Sequence, residues 1–179
     1  MSLADKMKLQ DLKAEIENLT SPRIALLSKQ KNDVGSKIKE EIIGFFKDKG
    51  FVINGSMPKV TASYNGGLET VIDFTNLTGA FFGCDGQVHF KYEGRDFSII
   101  YSISRGDLPR EGNFFGSEEE LLKKKLSYYE NELLPSLKKL GVSDLTGECK
   151  LQLLIKKGTG QNETKNINSV DEALNSMIC

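Results

Sequence analysis

The sequence predicts an α+β fold: a helical arm over residues 1–48, built as a hairpin or coiled coil, followed by an α+β domain over 49–179. In that domain an antiparallel sheet of about five strands is expected, covered by one long helix. Three observations carry this reading. Apolar residues recur at helical spacing through the first fifty positions without enough of them to make a core. Strand-like alternation broken by Asn-Gly and Glu-Gly turns occupies the middle of the chain. A capped amphipathic stretch then runs from Ser117 to Leu140.

In the arm, Leu9, Leu12, Ile16 and Leu19 fall at spacings of three, four and three, which is one stripe of a helix. Leu27, Val34, Ile38, Ile42 and Phe45 form a looser stripe further on. A seam this narrow is not stable alone in water, so it must close against another helix, the following domain or a second copy of the chain. Ser21-Pro22 reads as a cap and first-turn pair that would start a second helix, ending at Lys49-Gly50. A single helix running through Pro22 is the competing arrangement.

Val60, Ala62 and Tyr64 alternate with Thr61 and Ser63 ahead of Asn65-Gly66-Gly67, which turns the chain into a strand near Glu69–Phe74. The next hairpin is better specified. Gln87–Tyr92 and Arg95–Ser104 flank Glu93-Gly94, and a two-residue turn sets Phe90 opposite Phe97, Val88 opposite Ile99 and Lys91 opposite Asp96. Ser117 and Glu120 make a capping box for the long helix, whose buried face is Leu122, Leu126, Tyr129, Leu133, Leu137 and Leu140. Pro135 is expected to kink it. Cys149, Leu151, Leu153 and Ile155 mark one more strand, with Cys149 as a small core residue. Gly158–Lys165 reads as a polar loop, and Ser169 with Glu172 opens a short last helix.

Whole-chain numbers narrow the function classes. With 24 basic and 25 acidic residues the net charge is -1, which argues against a dedicated nucleic-acid binder. No apolar run reaches the ~20 residues of a membrane span, and the N-terminus lacks a signal-peptide pattern, so a cytoplasmic location is expected. Three separated cysteines make no disulfide framework, and with one histidine they suggest neither metal nor cofactor.

The residues offer no catalytic motif of strength comparable to the arm. The expected role is therefore a non-enzymatic protein-binding module of the adaptor, chaperone or inhibitor type, partnered by another protein or by itself as a homo-oligomer. Its anchors would be Leu9, Leu12, Ile16 and Leu19. A Gly-x-Phe-Phe-Gly pattern occurs twice, at 79–83 and 112–116, and Phe81, Phe82, Phe114 and Phe115 are candidate partner-binding tips. The alternative for these rings is to fold back and plug the sheet ends.

Two other functions are open. Glu148-Cys149-Lys150 resembles part of the Glu-x-Lys motif of restriction-type nucleases, and Asp73 or Asp96 could complete a metal-dependent nuclease or phosphotransfer site. A small ligand could instead lie on the sheet face. His89 is expected on the outer, polar face beside Gln87 and Lys91, solvated rather than catalytic. Arg105-Gly106-Asp107 is read as a turn.

Overall fold

The computed structural model describes residues 2–79, 83–157 and 162–178. One helix, α1, spans Leu3–Asp48, and seven strands follow: β1 (Val52–Ser56), β2 (Lys59–Tyr64), β3 (Leu68–Asp73), β4 (Gly86–Tyr92), β5 (Arg95–Ser104), β6 (Glu148–Lys156) and β7 (Asn162–Ile167). Between β5 and β6 lie α2 (Glu118–Tyr128), a π-helical turn (Tyr129–Leu133), α3 (Leu134–Lys139) and α4 (Val142–Leu145); α5 (Val170–Ile178) follows β7. No described helix is long and apolar enough to cross a membrane.

The chain forms two compact units. The first joins residues 1–29 to 105–147, and the second joins 30–104 to 148–179, so each contains part of α1.

In the second unit all seven strands pair antiparallel in sequence order, a meander with two open edges. The sheet thus has two strands beyond the expected five. β1 has only Val52 and Ile53 as apolar side chains, and β7 has only Ile167. Both are recruited by a neighbour (β1 by β2, β7 by β6) rather than announced by a pattern of their own. The central hairpin has the register its turn dictates: Phe90↔Phe97, Val88↔Ile99 and Lys91↔Asp96. Glu93 and Gly94 sit at φ 46° and 75°, the left-handed pair that matches strand twist, and the Phe90 and Phe97 rings stack 4.7 Å apart.

The helix on the sheet is not the expected one. The core beneath the strands contains Ile38, Ile42, Phe45 and Phe46 from the second half of α1, with Val170, Ala173, Leu174 and Met177 from α5. These eight pack with Val60, Ile72, Val88, Phe90, Phe97, Ile99 and Leu153 from the strands. Short-range connection explains the choice: α1 runs straight into β1 and α5 leaves β7, so each folds back on its own sheet at small entropic cost. Gly50, at φ +82°, ends α1, with its amide donating to Lys47 and that of Phe51 to Phe46. Two glycines permit close packing in this unit. A Cβ on Gly86 would lie 2.0 Å from the Leu77 carbonyl oxygen, and one on Gly35 would lie 3.1 Å from Thr78. Tyr101 fills the space they leave and donates its hydroxyl to the Leu77 oxygen at 2.8 Å.

Cys149 lies on the same sheet face as Leu151 and Leu153, yet it is exposed rather than part of the core. Alternation gave its face correctly, but the strand end it occupies lies beyond the packed centre.

Candidate functional site

The first unit is a pair of helices. Pro22 does not break α1, so the hairpin expectation is replaced by a continuous 46-residue helix. Side chains on either side of the proline bond back to the helix: Thr20 Oγ1 donates to the Ile16 carbonyl at 2.9 Å and Arg23 Nη1 to that of Leu19 at 2.6 Å. Leu9, Leu12, Ile16 and Leu19 are half-buried and pack against Tyr129, Leu133 and Leu137. The stripe therefore has an occupant within its own chain, the helical stretch that was expected to cover the sheet.

The two helices run in the same direction. Lys8 pairs with Glu130 at 2.8 Å, Glu15 with Lys138 at 2.7 Å, and Arg23 reaches the carbonyls of Leu137 and Leu140 at 3.0 and 3.1 Å. Numbers climb together on both helices, which is a parallel arrangement. Arg23 thereby bonds the Leu140 carbonyl at the C-terminal end of α3 and adds a second donor to that of Leu137, which already accepts the Leu140 amide at 3.3 Å. The π-helical turn lies just before Pro135, where one extra residue absorbs the missing amide and the ring's bulk.

A buried phenol ties the 105–116 segment to this pair. Tyr129 is almost wholly buried, and its hydroxyl donates to Glu111, whose carboxylate also takes Lys125 at 3.0 Å. The Tyr129 hydrogen bond, against the opposing effect of burial and with help from Lys125, holds the Glu111 carboxyl below its ordinary value. Burial foremost, then Glu111, pushes the Tyr129 phenol up. Tyr128 donates to the Arg110 carbonyl at 2.9 Å, and Lys124 to that of Phe115 at 2.8 Å.

These contacts separate the two rings of the second Gly-x-Phe-Phe-Gly motif. Phe114 folds back, edge-on to Tyr128 with centroids 5.4 Å apart, while Phe115 is 80% exposed. Phe81 and Phe82 of the first motif lie outside the described residues. Between the starts of α1 and α2 the helix pair opens into a groove of about 560 Å³, lined by Met7, Leu9, Leu121 and Leu122 between Lys6, Asp11, Glu118 and Lys125. Leu3 and Met7, on the same stretch of α1, are 75% and 60% exposed. The seam is sealed along its middle and open at the start of the helices.

The second unit separates the proposed nuclease residues. Phe97 lies opposite Ile155, so Asp96 sits level with Lys156, eight positions along β6 from Glu148, or roughly 27 Å. Asp73 is three strands from β6 and level with Leu154, roughly 24 Å from Glu148 by strand spacing and rise. Neither reaches the Glu148–Lys150 pair. Among the described residues, no three His, Cys, Asp or Glu side chains are grouped to hold a metal.

His89 occupies the outer face as expected, but it is not simply solvated. Gln87 Nε2 donates to Ser98 Oγ at 2.8 Å, and His89 Nδ1 lies 3.2 Å from the same oxygen. The His89 Nε2 is 3.4 Å from Asp96, so among the described residues the histidine, rather than Lys91 opposite it in the register, lies within ion-pair distance of that carboxylate. Ser98 is fully buried, which removes it as a nucleophile despite its place beside a histidine. The signal that could have found Ser98 was available: the register that pairs Phe90 with Phe97 also pairs His89 with Ser98.

A further groove of about 860 Å³ lies on the inner face of the second unit, floored by Val34, Ile38, Leu151 and Ile167 and edged by Lys37, Glu41 and Cys149. Partial desolvation first, then Asp85, pushes the Cys149 thiol up, so it is a poor thiolate. No protein family, curated protein or solved structure matches this chain.

Proposed function

We propose that the protein is a non-enzymatic protein-binding module whose docking surface is the open end of its parallel helix pair. The observation that carries this is the groove between α1 and α2 lined by Met7, Leu9, Leu121 and Leu122, with Met7 more than half exposed in it and the exposed Leu3 and Phe115 each three positions before one of its lining stretches. Large apolar side chains gathered at one end of a narrow seam cost solubility unless a partner covers them. The stretches that line the groove, Lys6–Asp11 and Glu118–Lys125, span about two helical turns, the footprint of a short amphipathic helix presenting residues at i, i+3 or i+4 and i+7. Its rim carries both signs of charge, which suits a partner helix of mixed charge. Leu9 contributes from the groove floor. Leu12, Ile16 and Leu19 act by holding the pair together.

Surface substitution tests this more cleanly than truncation, because removing the first twenty residues would also strip the cover from Leu133 and Leu137. A photo-crosslinking residue at position 7 or 115 in the full chain is expected to give a discrete protein adduct, a second copy included. One at the outer-face position 150 is expected to give none. Met7→Asp with Phe115→Ser should abolish the adduct and leave the circular dichroism spectrum unchanged. No adduct from either position, together with a monomeric sedimentation mass that the double variant does not change, refutes the reading.

A further inference from the structure

The outer face of the sheet carries a polar depression in the second unit, unrelated to the helix-pair groove. It has a volume of about 260 Å³ and is lined by Asp73, Asn76, Gln87, His89 and Lys156. Its position follows from residue size. Ser98, in the central strand β5 and fully buried, lies opposite the larger His89 on β4 and Leu154 on β6, so the face dips there.

Burial opposes ionisation of Asp73. Hydrogen bonding from Thr75, whose amide donates at 2.9 Å, and Lys59 at 3.1 Å outweigh it and hold the carboxyl below its ordinary value. Both Asp73 oxygens are therefore engaged. The ring nitrogens of His89 face Ser98 and Asp96. One amide hydrogen of Gln87 goes to Ser98, and the second is free to point into the depression.

Among the described residues no carboxylate pairs with Lys156, whereas its neighbours Lys157 and Lys165 share Glu163 at 2.8 and 3.0 Å. Among the described residues the Asn76 side chain has no hydrogen-bond partner either, although its backbone oxygen accepts from Gly79 and Gln87. The unspent groups are thus one ammonium and two amide donors, while the local carboxylates are already answered. A donor excess of this kind fits an acceptor-rich anion.

We propose that this depression binds a small oxyanion, the carboxylate or phosphate group of a molecule of a few heavy atoms, with Lys156 supplying charge and Asn76 and Gln87 supplying neutral donors. A cation at Asp73 would compete with the Thr75 amide and the Lys59 ammonium, which already hold one bond to each carboxylate oxygen. A larger ligand has no room, since drug-sized sites begin near 300 Å³.

The test is a titration of the full chain with sodium phosphate, and separately with sodium acetate, at constant ionic strength, read from amide ¹H–¹⁵N shifts. Saturating shifts are expected at Asn76, Gln87, His89 and Lys156. Lys156→Gln should weaken binding by about tenfold or more, the value of a charge-assisted hydrogen bond. Lys91→Gln, which removes an equal charge from the same face but outside the depression, should change it by less than about twofold. Saturation by phosphate alone assigns the phosphate group, by acetate alone the carboxylate, and by both their shared chemistry. Shifts that fail to saturate by about 50 mM with either salt overturn the proposal, as do equal losses in the Lys91 and Lys156 variants.

Discussion

The sheet unit and the helix pair solve the same problem, covering apolar side chains, with very different resources. Beneath the strands a single cluster draws its buried residues from α1, α5 and five of the seven strands, and Ile42, Phe46, Phe90, Phe97 and Leu174 have no exposed surface. The helix pair buries Tyr129, Leu133 and Leu137 against four half-buried residues of α1, and adds charged contacts along the rim. A wide core tolerates local loss badly because its side chains interlock. A narrow seam has less to lose and opens more readily, and partner-binding surfaces are commonly drawn from such regions.

The largest expected effect follows from the core. Phe97→Ala removes the ring stacked on Phe90 and should cost about 3–5 kcal/mol, read as a lower urea midpoint of the sheet's unfolding transition. Leu137→Ala, equally buried, should cost only about 2 kcal/mol, because a three-residue cluster can collapse around the gap. Hydrogen exchange sharpens the contrast. Leu137→Ala should speed exchange in α1 before position 29 while the amides of β4 and β5 keep their protection. Uniform loss across both units would show that the two cores unfold as one.

Tyr129 and Glu111 give the helix pair a pH signature. The Glu111 carboxyl is lowered on folding, so the stability it contributes is present above its unfolded value near 4.5 and is lost as pH falls through the folded value. The Tyr129 phenol is raised, so its contribution is present below its unfolded value near 10 and is lost as pH climbs through the folded value. Tyr129→Phe should cost about 1.5 kcal/mol at neutral pH and flatten the alkaline arm, measured by thermal melts across pH. Glu111→Gln should flatten the acid arm.

How much could be read from residues alone follows the same division. The β4–β5 hairpin was legible down to its register because turn, apolar pairs and charge pair all sit within eighteen residues and agree. The caps at Gly50 and Ser117 were legible for the same reason: each is a local bargain between one side chain or one φ angle and a few backbone groups. The partner of the Leu9–Leu19 stripe was not. It lies more than a hundred residues away and runs parallel, so no short connection marks it, and periodicity says only that a face is apolar. That ambiguity assigned the 117–140 helix to the sheet. β7 was missed because Asn162, Glu163, Thr164 and Lys165 look like loop until β6 supplies their hydrogen bonds. For the candidate sites, the repeated Gly-x-Phe-Phe-Gly motif drew attention to Phe115, but only packing distinguishes its exposed ring from that of Phe114.

The rim of the helix pair offers the finest comparison, between two cations on the same helix. Lys8 meets Glu130 at 2.8 Å with both side chains about half exposed, so water and salt compete for the same charges. Arg23 instead spends its guanidinium on three carbonyls, those of Leu19, Leu137 and Leu140, the last of which lies at the end of α3 and would otherwise need water. Planarity lets one side chain bridge both helices at fixed geometry, which an ammonium does poorly. Arg23→Ala should therefore cost about 1 kcal/mol with little dependence on ionic strength, and Arg23→Lys should recover only part of it. Lys8→Ala should cost less than about 0.5 kcal/mol and nothing measurable in molar salt. Equal and equally salt-sensitive losses would mean that Arg23 acts as a surface charge and that the apolar seam alone holds the helices together.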